Sequence, residues 1–188
     1  MHRLTAVLFV LSASVVAAQD SEENPEYTSW AKVKKGTTVT LTTSLFEPLD
    51  RGISGTNVST YKLVEAKADV VVLELRTVET RRGKVDATSK PHRVEIPRLS
   101  RAGATGLDLM RPKGAKVGSG VEEVVKIGKV EFKTVRYTGE YMDNSFNPVT
   151  RTDWLSADVP GCLVKRDHRI GGKGAFHSVT EFKWVTKP

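Results

Sequence analysis

Cysteine and histidine are scarce in this 188-residue chain, and their scarcity excludes several kinds of site. Cys162 is the single cysteine, so no disulfide can form within the chain. The fold must therefore be held together by its hydrophobic core, and Cys162, beside Leu163 and Val164, is expected to be a small buried residue of that core. Only His92, His168 and His177 follow the first 18 residues, which leaves few combinations for a metal centre.

Motifs for nucleophilic and phosphate chemistry are also missing. No serine stands in a Gly-x-Ser-x-Gly pattern, and the glycines between 114 and 120 lack the Lys-Ser/Thr ending of a phosphate-binding loop. Acidic residues are present, but no spacing pairs two of them for glycoside hydrolysis. We therefore assign no catalytic residue, predict no cofactor, and do not favour an enzyme.

Long apolar runs are confined to the N-terminus. Residues 1–18 combine a basic start at Arg3, an apolar run from Leu4 to Val16 and small residues at Ala17 and Ala18, the three-part layout of a cleavable signal peptide. The run is shorter than the roughly 20 apolar residues that span a bilayer. No cysteine follows it for lipid attachment, so we expect a mature, secreted or periplasmic chain that starts at Gln19 without a transmembrane span.

Basic residues outnumber acidic ones, 29 to 22, for a formal net charge of +7. The excess is concentrated in one segment, where seven basic side chains face only Glu95 and Asp108. These basic residues are Lys90, Arg93, Arg98, Arg101, Arg111, Lys113 and Lys116. An anionic envelope lipid or polysaccharide is one possible partner, and a solvated charged loop is the simpler alternative. No nucleic-acid partner is predicted.

Alternating hydrophobicity predicts a mainly β domain over 37–188, preceded by a leader and short helix over 19–36. Pro25 opens the helical turn that carries Tyr27 and Trp30. One strand is expected to begin at 37, and further strands are expected over 58–66, 70–78, 93–96, 121–127, 130–141, 150–156, 162–170 and 176–185. A long Gly-rich loop is expected over 98–120. Hairpin links and the lack of a long amphipathic helix favour an antiparallel sheet curled into a barrel or half-barrel.

Six large aromatic residues are spread over these elements. They are Trp30, Phe132, Trp154, Phe176, Phe182 and Trp184. Inside a curved sheet, Trp154, Phe182 and Trp184 could contact an apolar ligand, whereas an ordinary core is the simpler role for all six.

A histidine pair gives the sharpest chemical hypothesis. If Ile170 lies opposite Ala175 in the last hairpin, His168 faces His177 at cross-strand contact distance. Two neutral imidazoles placed in this way could share a zinc or copper ion, with Asp167 or Glu181 as a third ligand. Two surface histidines on a solvent-facing strand are the alternative.

Three stretches resemble exported bacterial proteins of uncharacterised function that share β-rich envelope domains. They are Trp30-x5-Gly36, the run from Thr60 through Ala68-Asp69 to Glu74, and the Trp-x-Ser-x-x-Val-Pro-Gly stretch from Trp154 to Gly161. Some of those domains are similar in outline to the lipoprotein-carrier half-barrels of the bacterial envelope. The resemblance implies a bacterial source and an envelope location, and it brings no catalytic residues.

Together these features predict an exported, non-enzymatic binding or structural module of the bacterial cell envelope. The alternative is a carrier that holds an apolar or lipid ligand inside its curved sheet. An unrecognised hydrolase is the third possibility.

Overall fold

The computed structural model describes residues 21–46, 52–101, 116–117, 120–172 and 175–188. The predicted signal peptide lies outside these residues, as does most of the Gly-rich segment. The division into a leader with a helix and one β domain therefore stays a prediction. Among the described residues, no helix is long and apolar enough to cross a membrane.

One short helix and thirteen strands make up the described fold. In chain order they are β1 (Ser21–Glu23), α1 (Pro25–Ala31), β2 (Thr38–Phe46), β3 (Ile53–Ala66), β4 (Val70–Arg81), β5 (Lys84–Thr88), β6 (His92–Pro97), β7 (Leu99–Arg101), β8 (Lys116–Val117), β9 (Val121–Ile127), β10 (Val130–Met142), β11 (Pro148–Leu155), β12 (Leu163–Ile170) and β13 (Phe176–Thr186). The predicted mainly β class, with a short N-terminal helix, is confirmed.

Eleven strands form one antiparallel sheet, in the order β5-β4-β3-β2-β13-β12-β11-β10-β8. At its two ends β6 pairs with β4 and β9 pairs with β10. The two ends do not pair with each other among the described residues, so the sheet is curled and open. β1 and β7 form a separate pair, which places a strand at 99–101, where the sequence predicted loop.

Helix α1 lies against the β3–β4 side of the sheet because its capping residue and its tyrosine reach backbone groups there. The Asn24 side chain accepts a hydrogen bond from the Glu26 amide and donates one to the Pro97 carbonyl, so it caps the helix and fastens it to the end of β6. The Tyr27 hydroxyl donates to the Lys67 carbonyl at 2.8 Å. Trp30, 1% exposed, enters the core from the next turn.

The hydrophobic core lies between α1 and the sheet. Its buried members include Tyr27, Trp30, Val39, Leu63, Val71, Leu73, Ile96, Val159, Val164 and Phe182. The predicted role of Cys162 as a buried residue agrees with its 6% exposure. This core occupies only part of the space under the sheet.

Candidate functional site

A cavity of about 530 Å³ opens beside the core, between α1, the sheet and the turn over 156–162. Strands β2 and β3 form one wall, and β10, β11 and the start of β12 form the other. Much of the wall is apolar or aromatic: Trp30, Val39, Leu41, Tyr61, Val135, Tyr137, Leu155 and Leu163. Its volume lies within the range of roughly 300–1,000 Å³ that small-molecule pockets occupy.

The Trp-x-Ser-x-x-Val-Pro-Gly stretch builds the turn that closes this cavity. The Ser156 amide donates to the Cys162 carbonyl at 2.8 Å, and the Cys162 amide donates to the Val159 carbonyl at 2.8 Å. Gly161 has a φ of 81°, and a Cβ there would lie 3.2 Å from Nε1 of the Trp30 indole. Glycine therefore fits this position for both its backbone angle and its close approach to α1.

Two further contacts fasten the turn to α1. The Gly161 amide donates to the Ser29 hydroxyl at 2.9 Å, and the Cys162 thiol donates to the Pro25 carbonyl at 3.3 Å. Cys162 itself has a φ of 60°, which is uncommon for a residue with a side chain. Burial raises the pKa of its thiol, so the thiolate that a nucleophile requires is disfavoured.

Three charged side chains form a buried cluster at the cavity wall, which we name the Arg151–Asp153–Arg166 triad. Asp153 is fully buried and accepts two hydrogen bonds from each arginine, at 2.6–3.1 Å. Burial favours a raised pKa for Asp153, but the hydrogen bonds and charges of Arg166 and Arg151 outweigh burial and lower it. The triad therefore carries two positive charges and one negative charge.

The strands explain why these three residues meet. Arg151 and Asp153 are two residues apart on β11, so their side chains share one face of the sheet. The β11–β12 register places Arg166 directly opposite Asp153. All three therefore project toward the cavity side, while Trp154 and Lys165 project from the opposite face.

Glu26 is the second charged feature of the cavity. Its carboxyl lines the wall and forms no hydrogen bond or ion pair with the described residues. Burial raises its pKa to about 6, against the opposing effect of the Arg166 charge. The Tyr61 hydroxyl shares this environment, since burial and the Glu26 charge raise its pKa, while the Arg166 charge lowers it.

The sequence-predicted aromatic residues lie elsewhere. The Trp154 indole donates to a Glu123 carboxylate oxygen, and the Lys165 ammonium lies 5.4 Å from its ring centroid. Phe182 is 8% exposed and packs edge-to-face on Phe132, with the ring centroids 5.4 Å apart. Neither residue belongs to the cavity wall described above.

Trp184 lies on the other face of the sheet from the cavity, where it is 56% exposed. Uninterrupted alternation would place Phe182 and Trp184 on the same face. A bulge intervenes: Phe182 pairs with Leu41, and Trp184 pairs with Thr40, whose side chain points away from the cavity. Lys183 is the extra residue that reverses the alternation.

The predicted facing of His168 and His177 is wrong by one residue. Ile170 pairs with Phe176 rather than with Ala175, so His168 lies opposite Ser178 and His177 lies opposite Arg169. A shift of one residue moves a side chain to the other face of a sheet, which places the two imidazoles on opposite faces. The cross-strand metal hypothesis loses its geometric basis.

Each histidine instead has its own surroundings. His168 lies beside the triad, and burial, followed by the Arg151 and Arg166 charges, lowers its pKa. His177 stacks on Phe46 at 4.7 Å between ring centroids, and its Nε2 lies 3.3 Å from Asp167 Oδ1. Within the described part of the chain, no group of three or more His, Cys, Asp or Glu side chains is arranged to hold a metal ion.

The charged residues of the cavity region that the sequence analysis did not single out are Glu26, Arg151, Asp153 and Arg166. Arg151 and Asp153 do carry a signal, because their two-residue spacing places them on one face of a strand. Arg166 carries none, because its neighbour is set by the pairing of β11 with β12.

No family model matches this chain, and no curated protein matches it in sequence. Two solved structures are similar to it in fold at 10% identity. One, described as an exported protein with a YmcC-like fold from Bacteroides fragilis, has a TM-score of 0.49 and covers 82% of this chain and 97% of its own. The other, described as a lipoprotein from Parabacteroides distasonis, has a TM-score of 0.45 and covers 81% and 96%.

A third similar structure is a LolA superfamily protein from Nitrosomonas europaea, at 11% identity. Its TM-score is 0.23, and the alignment covers 87% of this chain and 92% of the other. All three TM-scores are below 0.5, and we transfer no functional residue from these structures.

Proposed function

We propose that this chain is an exported, non-enzymatic binding module of the bacterial cell envelope, and that its cavity holds an apolar or lipid-like ligand. The observation that carries this proposal is the cavity of about 530 Å³ between α1 and the curled sheet, with its largely apolar wall. The signal-peptide pattern of residues 1–18 supports export.

Binding fits the side chains of the wall better than nucleophilic catalysis does. The Cys162 thiol has a raised pKa, and both carboxylate oxygens of Asp153 are occupied by arginines. Glu26 has the perturbed pKa that is typical of functional clefts, which marks the cavity as the site to test.

A cavity-filling substitution tests the proposal directly. Leu41→Trp adds bulk to the cavity wall, and Thr42→Trp introduces the same indole one residue later on the other face of β2, as the control. The neutral apolar dye N-phenyl-1-naphthylamine is titrated into each delipidated protein. We expect fluorescent binding to the wild type and to Thr42→Trp, and at least about a tenfold loss in Leu41→Trp.

Native mass spectrometry of the secreted protein gives a second readout, as co-purifying ligand mass that is absent from Leu41→Trp. Alkylation of Cys162, the single cysteine, gives a third because this residue lines the cavity and bound dye would slow the reaction. Absence of dye binding to the wild type, with no co-purifying ligand, would contradict the proposal.

Ligand contact at Trp154, Phe182 and Trp184 stays a prediction. Trp184→Ala tests it with the least disturbance because this side chain is the exposed one. Weaker dye binding would support the contact.

Attraction of an anionic lipid or polysaccharide by the basic segment also stays a prediction, and it is tested by salt-sensitive binding to anionic vesicles.

A further inference from the structure

The charges of the Arg151–Asp153–Arg166 triad do not balance within the triad. Two guanidinium groups share one carboxylate, and the side chains of Arg151, Arg166 and Asp153 are 8%, 20% and 0% exposed. A buried charge is costly unless an opposite charge compensates it. Glu26 is the acid whose charge acts on Arg166 across the cavity, yet the two form no ion pair.

Hydrogen-bonding groups at the same wall are also unused. Arg166 donates to Asp153 through Nε and Nη2, which leaves Nη1 without a hydrogen bond to the described residues. Tyr61 also lines the cavity, and its hydroxyl, which the Glu26 and Arg166 charges reach, has no hydrogen-bond partner among them. The wall therefore presents two free donors beside the triad, while the acidic residues Glu23 and Glu26 line other parts of the same cavity.

We propose that the cavity takes a single-chain amphiphile with a carboxylate head group, of the fatty-acid class. The carboxylate accepts hydrogen bonds from Arg166 Nη1 and the Tyr61 hydroxyl, and the chain lies along Trp30, Leu41 and Leu155. The proposal rests on the binding function argued above and adds the chemistry of the head group.

A carboxylate fits this charge arrangement better than other head groups. Glu26 acts on Arg166 only through its charge, so one negative charge in direct contact with Arg166 balances the excess within the triad, whereas an alcohol does not and an amine adds to it. A phosphate monoester carries more than one negative charge at neutral pH and meets stronger repulsion from Glu26. Charge-assisted hydrogen bonds from arginine to a carboxylate are also among the stronger ones in proteins.

Head-group competition tests this inference in the full mature chain. Palmitate, hexadecanol, hexadecylamine and hexadecyl phosphate share one chain length and are compared as displacers of N-phenyl-1-naphthylamine at pH 7.5. We expect palmitate to displace the dye at about tenfold lower concentration than each of the others.

Two substitutions test where the head group binds. Tyr61→Phe removes only the hydroxyl and should weaken palmitate several-fold while leaving hexadecanol unchanged. Tyr141→Phe, on β10 outside the cavity wall, is the matched control. Glu26→Gln removes a repelling charge and breaks no hydrogen bond of the described residues, so it should strengthen palmitate binding several-fold at pH 7.5.

The outcomes separate the two proposals. If neither the dye nor any of the four amphiphiles binds, the binding function itself fails. If all four bind equally, the binding function stands and the carboxylate inference is overturned. Preference for the amine or the phosphate, or weaker palmitate binding in Glu26→Gln, also overturns it.

Discussion

Strands β11 and β12 carry charged side chains on both faces of the sheet, in very different surroundings. On the cavity face, Asp153 is fully buried and both arginines bind it through two nitrogens. On the other face, Asp167 is 26% exposed, with Arg169 Nε at 3.1 Å and His177 Nε2 at 3.3 Å from the same oxygen. Similar residue types thus form a closed cluster on one face and an open one on the other.

From this difference we expect burial, rather than the number of ion pairs, to determine how much a charged cluster contributes to stability. Water and salt screen the Asp167 cluster, so it contributes little to stability. The Asp153 carboxylate has lost its water, and its two arginines replace it, so removing Asp153 leaves two buried positive charges without compensation. The buried face is therefore where stability depends on groups that also lie at the cavity wall.

The largest effect is expected from Asp153→Asn. It keeps the shape of the side chain but leaves Arg151 and Arg166 without their counter-charge, which should lower the free energy of unfolding by about 3–5 kcal/mol. Urea denaturation at pH 7.5, with a slope equal to that of the wild type, measures the loss. A loss below about 1 kcal/mol would show that the two faces do not differ as argued.

A smaller effect of opposite sign is expected from Glu26→Gln. The pKa of Glu26 is raised to about 6 in the folded chain, from 4.5, so the folded state binds more protons than the unfolded state between these values. Wild-type stability should therefore fall as pH rises through this window, by about 2 kcal/mol. Above pH 6 the full cost is present, and Glu26→Gln avoids it.

Urea denaturation of both proteins at pH 4 and at pH 7.5 tests this prediction. Glu26→Gln should be the more stable protein by up to about 2 kcal/mol at pH 7.5 and should match the wild type near pH 4. The charged and titratable groups that face Glu26, which are Arg166, Tyr61 and Cys162, are common to both proteins. An equal difference at both pH values would exclude ionisation of Glu26 as the cause.

Much of the fold could be predicted from local pattern. Alternation and turn residues indicated the β3–β4, β9–β10 and β12–β13 hairpins, and Pro25 indicated the start of α1. The strands β7 and β8 were not predicted. They have three and two residues, which is too short for an alternating pattern of apolar and polar residues to be recognised. Strand register was predicted least well. The β12–β13 hairpin differs from the predicted pairing by one residue, so His168 does not face His177.

The site was less predictable than the fold. A bulge at Lys183 reverses the alternation of side chains between the two faces of β13 and turns Trp184 outward. No residue type in that segment predicts the bulge. Arg166 reaches Asp153 only through the pairing of β11 with β12. The raised pKa of Glu26 depends on burial under a curled sheet, which is a property of the assembled walls.

The smallest effect is expected from Asp167→Asn, the counterpart of Asp153→Asn on the open face. It removes one partner of Arg169 and of His177 at a partly exposed site, so the free energy of unfolding should fall by less than about 1 kcal/mol. The loss should shrink further in 0.5 M NaCl because salt screens exposed charges, whereas the loss in Asp153→Asn should persist. Urea denaturation of both variants at low and high salt makes the comparison, and equal salt sensitivity would mean that burial does not separate the two clusters.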